Sequence, residues 1–150
     1  MGNKTSNIGF ALRKITNEQF AIIEDGFFDK GNIRIGTKLR FGSDEEMKLV
    51  ACFTEFTFES DKKKFLIIEA GCHFQILEEA WKNMYNKEQN SLTVPSGFLS
   101  HLALLTVGTT RGILHAKTEG TCFNKYVLPT INVSEMVKEN IVFDFKPSKV

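Results

Sequence analysis

The sequence predicts an α+β fold in which the strands come first and the helices follow. Apolar and polar residues alternate with a period of two in several segments before Ile76, which is typical of half-buried strands. The period then changes, and a long helical pattern begins at Ser96. The chain has 150 residues, the usual size of one domain, and no linker or repeat divides it. We therefore expect a single domain over residues 1–150.

The strand predictions follow this alternation along the first half of the chain. They cover residues 8–13, 20–23, 33–39, 47–58 and 64–76. Turn-forming residues at 42–44 precede the fourth of these segments, and Ser60, Asp61 and Lys62 join it to the fifth. We expect the last two segments to form one long antiparallel hairpin at the centre of the sheet.

The helix predictions cover three segments of the second half. A short helix is expected over residues 78–85, the main helix from Ser96 to about Glu119, and another short helix over residues 133–140. Pro95 lies near the first turn of the main helix and Gly120 is a C-terminal stop. The apolar segment 141–145 is expected to dock or to pair.

The main helix has apolar residues on more than one face. One stripe contains Leu99, Ala103, Val107, Thr110 and Leu114, and a second contains Phe98, Leu102, Leu105, Thr109 and Gly112. One stripe can pack on the sheet, and the other then needs a partner. We expect the second stripe to form an interface between copies of this chain. Gly108 and Gly112 permit close approach either of a second copy or of the chain's own backbone.

The overall charge and the distribution of apolar residues argue against several classes of partner and location. Lysine and arginine total 19, aspartate and glutamate total 18, and the formal net charge is +1, which gives no reason to expect nucleic acid as a partner. The sequence shows no secretory signal and no apolar run long enough to span a membrane. We expect a cytoplasmic protein that does not insert into membranes.

The reactive residue types show no pattern typical of catalysis. Cys52, Cys72 and Cys122 are widely spaced, so we expect buried thiols and neither disulfides nor a metal site. His101 and His115 are 14 positions apart on one helix and cannot act together within one subunit. Nucleophile, phosphate-loop and dinucleotide motifs are missing. We expect no catalytic residues and no cofactor, and hence no enzyme.

The order of the elements, with two local segments, resembles the bacterial export chaperone SecB. The segments are residues 65–76, a strand with Gly71, Phe74 and Ile76, and residues 111–137, where a helix ends before Gly120 and an extended stretch leads into Pro129. The resemblance implies a four-stranded antiparallel sheet packed with a long helix and a shorter C-terminal helix. It also implies a homo-oligomer built as a dimer of dimers.

The resemblance further implies an ATP-independent holdase that binds unfolded polypeptides in apolar grooves and delivers them to the export motor SecA. Carried over by position, the groove residues fall on Leu66, Ile68 and Ala70, and the neighbouring strand adds Phe56 and Phe58. Phe53 shares a face with the latter two only if a bulge intervenes.

The chain departs from the SecB pattern in its charge and its C-terminal part. SecB proteins are strongly acidic and have a tail beyond the last helix, whereas this chain carries a net charge of +1. These departures favour a dedicated client, such as an antitoxin, over general export. Two alternatives remain at this stage: a small-molecule binding module with an apolar cavity, and an adaptor between folded proteins.

Overall fold

The computed structural model describes residues 8–145, in which four long strands precede a long helix. The strands are β1 (Phe10–Ile22), β2 (Ile33–Asp44), β3 (Leu49–Ser60) and β4 (Lys63–Ile76), and they form an antiparallel sheet in the order β1-β4-β3-β2. The helices are α1 (Glu78–Met84), α2 (Ser96–Thr118) and α3 (Val133–Met136). The predicted α+β class, with a four-stranded sheet, a long helix and a shorter C-terminal helix, is confirmed.

A second, smaller sheet contains three short strands. They are β5 (Tyr85–Asn86), β6 (Ser91–Val94) and β7 (Ile141–Asp144), in the order β5-β6-β7. The expected pairing of the last apolar segment is confirmed, because Ile141 lies opposite Val94 in this sheet. The Phe145 ring then stacks on Trp81, with ring centroids 6.1 Å apart.

The strand β1 corrects the prediction of two separate strands at 8–13 and 20–23. It is continuous for 13 residues, although the stretch between the two predicted strands is polar. Its backbone pairs along β4, with register shifts after Leu12 and after Asn17. β1 is an edge strand whose side chains are largely exposed, so polar residues do not interrupt it.

The two hairpin turns differ from each other in how well they were predicted. The β3–β4 turn is confirmed, and both Asp61 and Lys62 have positive φ, as a two-residue hairpin with a type I′ turn requires. The turn expected at 42–44 lies instead at residues 45–48. There the Asp44 Oδ1 accepts a hydrogen bond from the Met47 N–H at 3.0 Å, and this fixes the turn after that residue.

Helix α2 lies across β3 and β4, and these three elements together supply most of the core. Its buried face includes Leu99, Leu102, Ala103, Val107 and Leu114. In the middle of the contact, the buried hydroxyls of Thr54 and Thr110 are 2.6 Å apart, within hydrogen-bond distance. The helix ends as predicted, because Gly120 has a φ of +80°.

The last short helix ends earlier than predicted, at Met136 instead of residue 140. Residues 137–140 leave the helix, and the Asn140 Oδ1 accepts a hydrogen bond from the Ser96 N–H at 2.9 Å. This side chain therefore satisfies a free donor at the start of α2. Within residues 8–145, no helix is long and apolar enough to cross a membrane.

Candidate functional site

The five predicted groove residues lie in the core. Phe56, Leu66 and Ala70 have no accessible surface, and Phe58 and Ile68 are 1% exposed. All five sit on the face of the sheet that α2 covers. The expectation that they line an open groove therefore does not match their burial, and a client could reach them only if α2 moved. Phe53 lies on the opposite face, under the Arg40 guanidinium at 3.9 Å.

Accessible apolar side chains lie along the β2 edge, on the face of the sheet that α2 covers. Ile33 and Ile35 are 39% and 36% exposed, and Leu39 and Phe41 are half-buried. They alternate along β2, so they project from one face. Helix α2 packs on β3 and β4 and leaves this row uncovered.

The chain that follows α2 forms the opposite wall. Tyr126 packs on Phe58 and Phe65, with ring centroids 5.9 and 5.1 Å apart. Arg111 of α2 fixes the path of this segment, because its Nε and Nη2 donate to the carbonyl oxygens of Leu128 and Pro129, both at 2.9 Å. The wall is thus attached to the helix by charge-assisted hydrogen bonds.

A cleft of about 520 Å³ lies beside the Leu39 and Phe41 part of the β2 row. It is lined by Leu39 and Phe41 from β2 and by residues 136–141 from the other side. We call the whole feature the β2 groove and define it by Ile33, Ile35, Leu39 and Phe41 on one side and by Tyr126, Met136, Val137 and Ile141 on the other. Met136 is 44% exposed, so the groove is open to solvent.

The backbone of β2 adds a second kind of contact. Among the described residues, β2 pairs with β3 alone, so its outer edge presents unpaired N–H and C=O groups. An extended peptide can add to such an edge as a further strand, with alternate side chains entering apolar pockets. The β2 groove therefore has the features needed to bind extended apolar polypeptide with little sequence specificity.

The predicted interface residues on α2 divide into two groups. Phe98 and Leu102 are buried within the chain, so that part of the interface prediction does not match the structure. Leu105 is 40% exposed, Thr109 is half-buried and Gly112 is exposed. Leu104 at 54% and Gly108 extend the exposed part. A Cβ built on Gly108 or Gly112 would meet no atom within 4 Å, so intramolecular packing does not explain these glycines.

The cysteines also divide. Cys52 and Cys72 are buried as expected, but Cys122 is exposed in a short 3₁₀ turn after α2, which corrects that prediction. Burial raises the pKa of the Cys52 thiol to about 12. Residues 8–145 contain no group of three or more His, Cys, Asp or Glu side chains arranged to hold a metal ion.

The residues of the β2 groove were missed because the sequence pattern does not show strand order. The alternation in residues 33–39 correctly predicted a strand. The same alternation occurs in β3, and nothing local distinguishes an edge strand from a central one. The strand order β1-β4-β3-β2 places β2 at an edge of the sheet, and this position leaves its apolar side chains accessible.

Comparisons with known proteins give a likeness of fold. No protein-family model and no curated protein matches the sequence. Among solved structures, the Mycobacterium tuberculosis SecB-like chaperone Rv1957, in complex with a ChAD peptide from the antitoxin HigA1, aligns with a TM-score of 0.52 and 9% identity over 81% of this chain and 90% of that chain. A Streptococcus agalactiae protein of unknown function aligns with a TM-score of 0.34 and 12% identity over 83% and 98% of the two chains. The chain therefore has a SecB-like fold.

Proposed function

We propose that this protein is an ATP-independent holdase that binds unfolded polypeptide segments in the β2 groove. The observation that carries the proposal is the row of exposed apolar side chains beside an unpaired strand edge. Rv1957, which shares the fold, is described as a SecB-like chaperone and was solved with a peptide from an antitoxin, which supports polypeptide as the ligand class. In this proposal the protein performs no chemistry on its client.

The groove suits a ligand that varies in sequence. Each Å² of apolar surface removed from water contributes about 25 cal/mol before the cost of ordering the client. Backbone hydrogen bonds along β2 do not depend on the client's side chains. Neither contribution requires a shaped polar pocket, so many apolar segments satisfy the site.

A dedicated client in the cytoplasm, such as an antitoxin, is better supported than delivery to SecA. In SecB, acidic residues of the sheet contact SecA. In this chain Glu55 and Glu59 lie opposite Lys38 and Arg34 on the neighbouring strand, so their negative charge is offset. The charge of Glu69 is offset in the same way, because its carboxylate is 3.4 Å from the Arg40 Nε.

We also propose that α2 joins two copies of the chain through its exposed face. If two α2 helices pack antiparallel about Gly108, Leu104 of one copy lies over Gly112 of the other. The i, i+4 rows of the two helices then interdigitate, which gives a crossing angle near −50°. In such a pairing each leucine fills the space above a glycine, and the contact is self-complementary.

The swap of these two residues tests the pairing. We expect Gly112→Leu alone and Leu104→Gly alone to lower the oligomeric mass measured by light scattering. The double variant should restore it, because the leucine and the glycine exchange places at every contact. A double variant that stays dissociated, or single variants that stay associated, would contradict the antiparallel packing.

Suppression of aggregation tests the holdase proposal. A chemically unfolded model protein is diluted into buffer without ATP, with and without this protein, and light scattering is followed. We expect suppression by the wild type and its loss in the double variant Ile33→Asp, Ile35→Asp. The control is Leu12→Asp, Ile15→Asp: these residues are on the same face but at the opposite edge, and they are more exposed, at 47% and 50% against 39% and 36%. Circular dichroism verifies that each variant is folded.

Three outcomes would redirect the proposal. If the folded wild type leaves aggregation unchanged, the holdase proposal is wrong. A small molecule that co-purifies with a monomer would favour the apolar-cavity alternative. Tight binding of one folded partner, together with indifference to unfolded chains, would favour the adaptor alternative.

A further inference from the structure

A second cleft, of about 410 Å³, opens on the face of the main sheet that points away from α2. It lies where β1, β4 and the beginning of β3 come together. Its lining residues are Arg13 and Lys14 of β1, His73 and Gln75 of β4, and Met47 and Leu49 at the β2–β3 turn and the start of β3. No acidic side chain is among them.

A backbone irregularity brings the two cationic side chains to this cleft. Adjacent residues of a regular strand point to opposite faces, yet both Arg13 and Lys14 line the cleft. The pairing of β1 with β4 shifts register between Leu12 and Lys14, so Arg13 is the extra residue of a β-bulge. Bulges redirect side chains in this way and are common beside functional sites.

The two cationic side chains of the cleft are not neutralised by a direct ion pair within the described chain, although the charge of Glu18 acts on His73. The Arg13 Nε donates a hydrogen bond to the Gln75 Oε1 at 2.7 Å, which orients the guanidinium. Between residues 8 and 145, neither Arg13 nor Lys14 forms an ion pair. Arg40, on the same face, contrasts with them because it lies 3.6 and 3.4 Å from the carboxylates of Glu18 and Glu69.

The remaining lining is neutral or apolar. Burial, and then the nearby charge of Lys14, lower the pKa of His73 and favour its uncharged ring, while the charge of Glu18 acts in the opposite direction. Met47 is 58% exposed and Leu49 is half-buried. A ligand that fills the cleft therefore needs a negative charge for the β1 side and an apolar group for the β3 side.

We propose that this cleft binds an acidic peptide segment, with a carboxylate between Arg13 and Lys14 and a neighbouring apolar side chain against Met47 and Leu49. The volume suits one or two side chains of an extended peptide. A bare phosphate would use the two charges but would leave the apolar residues in water. The site lies on the opposite face of the sheet from the β2 groove, so the proposal does not depend on holdase activity.

Fluorescence anisotropy with a labelled octapeptide, in which two adjacent glutamates are flanked by leucines, tests the proposal on the full chain. We expect saturable binding to the wild type and roughly tenfold weaker binding to the double variant Arg13→Ala, Lys14→Ala, because this variant removes both cations that would face the carboxylates. The matched control is Arg34→Ala, Lys38→Ala. It removes the same charge from the same face at the distant β2 edge, and it should bind like the wild type.

Peptide variants separate the two halves of the ligand. Replacing the glutamates by glutamine, or the leucines by serine, should each weaken binding. Met47→Ser should reduce the preference for the leucine peptide over the serine peptide. Because Met47 lies in an exposed turn, we expect this variant to fold like the wild type.

Three results would overturn the proposal. Equal loss in both charge variants would show general attraction of an anion to a basic face. Full affinity of the leucine-free peptide, together with displacement by inorganic phosphate, would show a simple anion site. Weaker binding to the uncharged variant Ile33→Ser, Ile35→Ser would place the peptide in the β2 groove, which would support the proposed function and refute this second site.

Discussion

The centre of the main sheet and its β2 edge have the same alternating pattern but lie in different environments. Ile35 and Phe58 are direct partners across β2 and β3, yet Ile35 is 36% exposed and Phe58 is 1% exposed. The cause is the width of the helix. An α-helix is about 10–12 Å in diameter, and strands are about 4.8 Å apart, so one helix covers two strands of four. The uncovered margin of the sheet therefore keeps apolar side chains accessible to solvent.

Cysteine reactivity should show the largest difference between the covered centre and the surface. At pH 8 a thiol with a pKa of about 12 is ionised in roughly one molecule in ten thousand, and Cys52 is also buried. We expect iodoacetamide to modify the exposed Cys122 quickly and Cys52 only after unfolding, as measured by peptide mass spectrometry. Modification of Cys52 in the native protein at a comparable rate would show that α2 leaves the sheet readily.

Truncation of the two cross-strand partners should differ by several kcal/mol. Phe58→Ala leaves a cavity in the core and should lower the free energy of unfolding by about 3–5 kcal/mol. Ile35→Ala should lower it by less than about 1 kcal/mol, because the side chain is already partly in water. Urea denaturation measures both changes. Similar losses would mean that an additional element covers the β2 groove.

Two threonines on the α2-facing side of the sheet, Thr54 in the centre and Thr37 at the β2 edge, allow the effect of burial on a hydroxyl group to be compared. Thr54→Val removes a buried hydrogen-bond partner of Thr110 and should cost about 1 kcal/mol. The cost stays modest because the Thr110 hydroxyl also donates to the Thr106 carbonyl oxygen, at 2.8 Å. Thr37→Val, at the β2 edge, serves as the control and should change stability little. A loss at Thr37 equal to that at Thr54 would contradict the difference in coverage.

The two faces of α2 provide the smallest contrast. Gly108→Ala should stabilise the monomer by about 0.5–1 kcal/mol, since alanine is the better helix former and its Cβ meets no neighbour. The reverse change on the buried face, Ala103→Gly, should destabilise it by at least as much. Thermal unfolding at low protein concentration measures both variants. A lower melting temperature for Gly108→Ala would indicate a close contact at that position.

Much of the fold could be predicted because it depends on local patterns. The alternation in residues 47–58 and 64–76 predicted the central hairpin, and Pro95 and Gly120 marked the limits of α2. The predicted limits of an element were wrong where they depend on contacts with another element. β1 continues through a polar stretch because β4 provides its pairing. The residues after Met136 leave the helix, and Asn140 among them accepts a hydrogen bond from the Ser96 N–H at the start of α2.

The sequence predicted an apolar groove on the sheet, but it placed that groove on residues that lie in the core. The sequence by itself determined that the sheet has apolar side chains on one face, that α2 is apolar on more than one side, and that the chain carries almost no net charge. Only the tertiary structure decided which of those apolar residues stay accessible. Side-chain period follows from the backbone of a single strand, whereas burial depends on the strand's neighbours, and a helix two strands wide leaves the edge of the sheet open.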